Sequence, residues 1–343
     1  IKVPDLINSP ATDKASNLFP EIAYALLTDK KLGAGAVIST SSVNKINMGI
    51  AAKFCKANNF YWDGVISNKV NLREFIFEQA TQCLLDFTII GGQFSLYPAV
   101  PFDEDKYDAA GNLVYSGTHI MLPEKEPVIK AMFTDGNMKD LNVAFLSPED
   151  RQTFKANVLY REEKLNGFSE TKSVVVGLIK AGAEDDPLET FDLSGFCTSE
   201  EHAKTFGKYV LGTREEVDHT ITFKTAPHFV NGVQPGDYIR VFSTTQHVNR
   251  FNNGAILNDG KIVCKDISEL ASGTQPKPFY WWNTKESVVQ ENSHNFSNWT
   301  SDSQLPATYR NSLFTIKESE ASVQCYKVES ITFGEDGLIE LSG

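Results

Sequence analysis

The stretch that decides the fold is residues 72–98, LREFIFEQATQCLLDFTIIGGQFSLYP. In its first half, apolar residues recur at the three- and four-residue spacing of a helix, which predicts a helix capped by Asn71. In its second half, two β-rich runs flank Gly91 and Gly92, a pair typical of a tight hairpin turn. The sequence therefore predicts a helix followed directly by an antiparallel hairpin.

Outward from this stretch, the periodicity predicts more helices and strands. Apolar residues recur at helical spacing over residues 17–28 and 46–57. Thr198 and Glu201 match a capping box, so a helix is expected over 199–212, with His202 on its exposed side. Alternating residues over 219–225 then predict a half-buried strand.

The C-terminal third consists of short β runs separated by turn signals. Pro235-Gly236-Asp237 precedes a strand-like run, and Asp259-Gly260 is typical of a type I′ hairpin. This regular alternation of short strands and turns favours a small barrel or sandwich. The expected fold is α+β and β-rich, with an α/β domain over 1–118, an α+β domain over 119–228 and a barrel-like domain over 229–343.

Composition and charge exclude several classes of protein. The chain has 343 residues, of which 41% are hydrophobic, so global disorder is excluded. The fully apolar runs are far shorter than the roughly 20 residues that span a bilayer, which excludes a transmembrane protein. The formal net charge of −12 repels phosphate backbones and anionic lipid, and it argues against nucleic acid as the main partner. Local basic patches remain compatible with this charge.

No motif for a cofactor, a metal or nucleophilic catalysis emerges. Gly33-Ala34-Gly35 starts like a dinucleotide loop, but Ile38 stands where the third glycine belongs. The five cysteines form no C-x-x-C pair, which favours reduced, mostly buried thiols over a disulfide scaffold or zinc site. Cys197 with His202 is too small a ligand set for zinc. We therefore predict no catalytic residue, no cofactor and no metal.

Two acidic clusters need separate consideration, Asp103-Glu104-Asp105 with Asp108 and Glu184-Asp185-Asp186. Either is compatible in composition with calcium or with the carboxylate pair of a glycan hydrolase. The first cluster lacks the Gly and Glu of an EF-hand loop. A hydrolase pair must lie about 5 to 9 Å apart. Solvated loops are the interpretation that we favour for both clusters.

The aromatic run Phe279-Tyr280-Trp281-Trp282 is the least ordinary local feature. In a strand, successive side chains point to opposite faces, so these four rings require cover on both faces. One interpretation is burial against a neighbouring subunit. The other is a stacking platform for a sugar. We favour burial because exposed apolar patches are costly unless they are used.

Six motifs follow one another over most of residues 60–343: 72–98, 132–138, 158–161, 200–224, 233–239 and 326–337. They comprise the helix-to-hairpin unit, a Phe-Thr-x-Gly-Asn turn, a Tyr-Arg strand, a capped helix with its strand, a Pro-Gly-Asp loop and a closing hairpin. As an ordered set they resemble the tail hub and tip attachment family of tailed bacteriophages. Residues 1–60 match only in general character, and 265–315 depart from the family pattern.

The resemblance implies a structural role without catalysis or a cofactor. It implies a homotrimeric hub of a tail tip or baseplate that closes the distal end of the tail tube. Implied partners are the distal tail or tube protein, the tape measure protein, fibres and a host surface receptor. The implied location is the virion, after assembly in the host cytoplasm. Two alternatives remain, a carbohydrate-binding adhesin that uses residues 279–282 and a tail-associated glycan hydrolase.

Overall fold

The structure is a computed structural model. It describes residues 2–100, 127–147, 152–164, 167–177, 186–242, 251–264, 276–283, 288–296, 300, 303–317 and 325–343. The acidic cluster 103–108 lies outside the described residues, and so do Glu184 and Asp185. The described helices are α1 (Phe19–Thr28), α2 (Lys45–Ala57), α3 (Leu72–Gln82) and α4 (Glu200–Glu216).

The strands make up most of the regular structure. The earlier ones are β1 (Lys2–Asp5), β2 (Ser9–Ala15), β3 (Leu85–Ile90), β4 (Gln93–Pro98), β5 (Ile129–Thr134), β6 (Met138–Phe145), β7 (Lys155–Glu163), β8 (Ser169–Val176), β9 (Leu188–Asp192) and β10 (His219–Thr225). The later ones are β11 (Tyr238–Phe242), β12 (Phe251–Ile256), β13 (Ile262–Cys264), β14 (Lys277–Asn283), β15 (Val288–His294), β16 (Ser312–Lys317), β17 (Cys325–Lys327), β18 (Ser330–Phe333) and β19 (Ile339–Ser342). The predicted β-rich α+β class is confirmed.

The chain divides into two compact units, each built from two segments. Unit 1 comprises residues 1–126 and 145–218, and unit 2 comprises 127–144 and 219–343. This division differs from the three consecutive domains expected with boundaries at 118/119 and 228/229. The physical reason is that β5 pairs in parallel with β11, so residues near 130 belong with strands that follow residue 218.

In unit 1, the predicted helix and hairpin form as α3, β3 and β4. The strands pair antiparallel from Leu85 to Ile90. Gly91 and Gly92 have φ values of 56° and 79°, a left-handed conformation that glycine adopts without strain and that a tight hairpin turn requires. The three-stranded sheet β8-β7-β9 lies elsewhere in this unit, with α4 packed against β7 and β8.

Two details of α4 differ from expectation. The N-cap is Ser199, whose Oγ accepts the backbone N–H of His202 at 3.3 Å. Thr198 instead donates its hydroxyl to Asp63 at 2.7 Å. The expectation that His202 is exposed is wrong, since its side chain is fully buried and its ring stacks on Phe60 at 4.3 Å. Helical spacing alone did not distinguish the covered face of α4 from the exposed one.

Unit 2 is a stack of three sheets. The four-stranded sheet β18-β19-β10-β6 faces the three-stranded sheet β17-β11-β5, and a core lies between them that includes Phe133, Phe223, Val241 and Leu341. The five-stranded sheet β13-β12-β16-β14-β15 packs on the opposite side of β5 and β11 through Met132 and Phe242. No barrel closes among the described strands, so the sandwich alternative describes this unit.

The cysteines lie mostly in the interior. Cys55, Cys83 and Cys197 are buried, and no disulfide joins any of the five cysteines. Burial raises the pKa of Cys197 to about 11, because a thiolate loses its hydration there. Buried thiols of this kind act as small apolar side chains.

Candidate functional site

The aromatic run lies in β14, between β16 and β15. Register places Phe279 opposite Ile316 and Trp281 opposite Phe314, both on β16. Phe279 and Trp281 therefore share one face of the sheet, and Tyr280 and Trp282 share the other. Phe279, Tyr280 and Trp281 are each at most 4% exposed, and Trp282 is half-buried.

On the first face, residues of the same chain cover the rings. The Phe279 ring lies 5.7 Å from Phe314, and Trp281 meets the Tyr309 ring edge-on at 4.8 Å. The Trp281 indole N–H donates to Asn292 Oδ1 at 3.1 Å, which satisfies the one polar atom of that side chain. Side chains of unit 2 therefore cover this face, which forms part of the core of that unit.

On the second face, Tyr280 packs against the three-stranded sheet. Its ring stacks on Phe242 at 5.6 Å, and the Arg240 guanidinium lies 5.3 Å from its centroid. Burial, together with the nearby Glu291, raises the pKa of the Tyr280 hydroxyl to about 12. The phenol is thus a neutral packing group at physiological pH.

These contacts explain how β14 can contain four consecutive aromatic residues. Their faces are covered by unit 2 itself, so no neighbouring subunit and no sugar is needed to cover Phe279, Tyr280 or Trp281. A subunit or glycan contact through this run stays a prediction that depends on Trp282, the member with exposed ring surface.

A second feature of unit 2 is the outer edge of the four-stranded sheet. Among the described strands, β18 and β6 are its outer members. Phe333 on β18 pairs with Ile339 on β19, which places its ring on the core-facing side of the sheet. Ile339 is buried, yet Phe333 is 79% exposed. The apolar face of the sheet therefore extends beyond the part that the chain covers.

The composition of β18 makes this edge unusual. Its residues are Ser330, Ile331, Thr332 and Phe333, with no charge and no proline. Natural proteins normally protect sheet edges with Lys, Pro or bulges, because an open edge pairs with other chains. The β18 edge lacks these protective residues.

The edge is also held in a defined geometry. The turn from β18 to β19 closes through the Gly334 N–H, which donates to the Leu338 carbonyl at 2.8 Å. The Lys224 ammonium on β10 lies 3.0 Å from Asp336 Oδ2 and lowers the pKa of that carboxyl. Because the hairpin is anchored, β18 presents a preformed strand rather than a loose segment.

Catalytic groupings are not apparent in the described part of the chain. No cluster of three or more His, Cys, Asp or Glu with the geometry of a metal site occurs among the described residues. His219 contacts Tyr326 through Nε2 at 2.9 Å. Asp186 accepts a hydrogen bond from the Thr153 hydroxyl at 2.9 Å, while the rest of its acidic cluster lies outside the described residues. None of the described helices is long and apolar enough to cross a membrane.

Sequence reasoning missed Phe333 because the motif over 326–337 predicts a closing hairpin but not which of its strands lies at a sheet edge. A signal was present, because the five residues between Glu329 and Glu335 carry no charge. The position of this run at the edge of the sheet, however, depends on pairing with β19 and on the absence of an outer neighbour among the described strands.

Comparisons with known proteins give distant likenesses. No family model matches the chain, and no curated protein matches it. It is similar to a chain of the virion of a native gene transfer agent particle, with 13% identity and a TM-score of 0.34 over 64% of this chain. It is similar to the tail protein from Neisseria meningitidis MC58, with 9% identity and a TM-score of 0.32 over 75% of this chain.

A third solved structure is the 43 kDa tail protein of prophage MuSo2 from Shewanella oneidensis, with 12% identity and a TM-score of 0.27 over 55% of this chain. Two of the three are thus tail proteins, and the other is part of a virion. The chain spans 46%, 58% and 53% of these solved chains, respectively, or about half of their length.

Proposed function

We propose that this protein is a structural component of a bacteriophage tail tip or baseplate, a homotrimeric hub that closes the distal end of the tail tube. The proposed partners are the distal tail or tube protein, the tape measure protein, fibres and a host receptor. The proposed location is the virion, after assembly in the host cytoplasm. In this role the chain performs no reaction and needs no cofactor.

The observation that carries the proposal is the uncharged strand β18 with its exposed Phe333, an outer member of its sheet among the described strands. A strand without charge or proline, with Phe333 exposed on the core-facing side, is suited to continue its sheet into a second chain. The other outer strand, β6, offers a different surface. Joining β18 of one copy to β6 of the next is a heterologous contact, the type that closes a ring.

The order of motifs supports the same proposal. Each motif that resembles the hub family coincides with a structural element or a turn between elements. The helix-to-hairpin motif is α3 with β3 and β4, the Phe-Thr-x-Gly-Asn motif is the β5–β6 turn, and the closing motif covers β18 and the turn that leads to β19. The motifs therefore lie where a conserved architecture would need particular residues.

The test measures oligomeric state in solution. Size-exclusion chromatography with light scattering, at micromolar chain concentration, is expected to give three times the 38.1 kDa of one chain. Phe333→Lys places a charge on the open edge and is expected to yield monomer with an unchanged circular dichroism spectrum. The matched control is Phe77→Lys, since Phe77 is also highly exposed but lies on α3 of unit 1. A wild-type monomer, or equal dissociation of both variants, contradicts the proposal.

A further inference from the structure

A basic segment stands out in this acidic chain. Residues 30–62 contain five lysines and no Asp or Glu, whereas the whole chain carries a formal net charge of −12. Three of these lysines, Lys30, Lys31 and Lys45, are exposed. The segment therefore gives unit 1 a surface whose sign is opposite to that of the protein as a whole.

The fold brings the loop after α1 and the start of α2 against the same helix. After α1, the chain turns back, and the Ala34 N–H donates to the Leu26 carbonyl at 2.8 Å. A Cβ on Gly33 would lie 1.9 Å from that carbonyl oxygen, so this close approach requires glycine. The ammonium of Lys45, at the start of α2, lies 5.9 Å from the centre of the Tyr24 ring on α1. The loop that carries Lys30 and Lys31 and the start of α2 thus both contact the C-terminal half of α1.

Three aliphatic side chains in these two segments are exposed. Leu32 is 66% exposed, Val37 is 91% exposed and Ile46 is 77% exposed. We define the α1–α2 corner as Lys30, Lys31, Leu32, Val37, Lys45 and Ile46. Large aliphatic side chains with this exposure usually mark an interaction surface when they stand close together.

The acidic residue Asp29 directly precedes the corner in the chain. Its Oδ1 accepts the backbone N–H groups of Lys31 and Leu32, both at 2.7 Å. Hydrogen bonds from Leu32 and Lys31, with the charge of Lys31, lower the pKa of this carboxyl. The carboxylate therefore serves to shape the loop, and the corner keeps an excess of positive charge.

The chemistry of the corner indicates which partner it fits. Protein interfaces are enriched in aromatic residues and Arg and depleted in Lys, whereas this corner has lysines and aliphatic side chains only. Single-stranded nucleic acid calls for stacking aromatics, which are also missing from it. Lysine ammonium groups beside protruding aliphatic side chains match an anionic lipid surface. There, the lipid phosphates pair with the ammonium groups, and the aliphatic side chains are buried at the boundary between headgroups and acyl chains.

We propose that the α1–α2 corner binds the headgroup surface of membranes rich in anionic phospholipid. The net negative charge of the chain does not prevent this contact, because charges more than about 8 Å apart are largely screened at physiological ionic strength. The contact is peripheral, and several corners on one assembly would add their affinities.

The test is co-flotation of the full chain with vesicles. Vesicles of phosphatidylcholine and phosphatidylglycerol in equal parts are expected to carry at least ten times more protein than vesicles of phosphatidylcholine alone. The charge-reversal variant Lys30→Glu/Lys31→Glu/Lys45→Glu is expected to reduce the bound fraction at least tenfold. Raising the salt concentration is expected to release the wild-type protein.

Two further variants keep the test decisive. The matched control Lys69→Glu/Lys130→Glu/Lys208→Glu makes the same charge change at exposed sites elsewhere and is expected to bind like wild type. Leu32→Ser/Val37→Ser keeps the charge and is expected to weaken vesicle binding several-fold. If the charge-reversal variant does not fold, this variant provides the test of the corner.

Three outcomes overturn the proposal. They are absence of a phosphatidylglycerol preference in the wild type, equal losses in the corner and control variants, and retention on immobilised polyglutamate without vesicle binding. The last outcome would assign the corner to an acidic protein. Light scattering on the same samples reports oligomeric state, so failure of this proposal is distinguishable from failure of the hub proposal.

Discussion

Acidification is expected to destabilise unit 1 through His202. This side chain is fully buried near the start of α4, its ring stacks on Phe60, and its Nε2 lies 3.0 Å from the Gln82 carbonyl oxygen. Burial lowers its pKa to about 4, against an ordinary value of 6.5. The hydrogen bond with the Gln82 carbonyl favours the protonated ring, but the loss of hydration on burial outweighs it.

The direction and the size of the change in the free energy of unfolding follow from proton linkage. Between pH 6.5 and 4 the unfolded chain binds the His202 proton and the folded chain does not, so the free energy of unfolding falls as the pH falls. The stabilisation is fully present above pH 6.5. With 1.36 kcal/mol for each pKa unit, the loss from pH 7 to pH 4.5 is about 2 to 3 kcal/mol.

The assay is urea unfolding at pH 7 and at pH 4.5, followed by hydrogen exchange of peptides from α3 and α4. A labelling pulse at a single pH keeps the two series comparable, and these peptides report unit 1 alone. In His202→Gln, the amide can still donate to Gln82 but does not titrate, so the pH-dependent loss is expected to shrink by about 2 kcal/mol.

The control is His228→Gln, because His228 is exposed. This variant is expected to keep the wild-type difference between the two pH values. If wild type and His202→Gln lose the same stability on acidification, the reasoning from burial is refuted.

Three other predictions concern packing and charge. Phe279→Ala is expected to lower the free energy of unfolding of unit 2 by about 3 to 5 kcal/mol in urea titrations, because the ring is fully buried. Lys14→Met removes the ammonium that lies 3.1 Å from the fully buried Glu21 carboxylate, and about 3 kcal/mol of stability should be lost at pH 7 in thermal or urea unfolding. Gly254→Ala puts a Cβ 2.2 Å from the Val263 carbonyl oxygen, so amide exchange in β12 and β13 should accelerate.

Much of the secondary structure is predictable from the sequence. The run 219–225 coincides with β10, and the helix expected over 46–57 differs from α2 by one residue. These elements follow local patterns, in which alternation or helical spacing identifies the apolar face. Turn chemistry is equally local, as Gly91 and Gly92 illustrate.

The candidate sites were less predictable, because burial depends on distant partners. The four aromatics 279–282 signal a need for cover on both faces, but Phe242 and Tyr309, which cover two of them, lie about 30 residues or more away in sequence. His202 fits the exposed face of a capped helix until Phe60 is placed against it.

The sequence by itself determined where helices, strands and tight turns form, since these depend on residues a few positions apart. Only the tertiary structure decided that β5 pairs with β11, that the aromatic run lies inside unit 2 and that Phe333 lies on the outer strand of its sheet among the strands described. Sheet pairing joins segments that are far apart along the chain, and many pairings satisfy the same alternating pattern. The packing of the whole unit selects one pairing, and with it the surfaces left exposed.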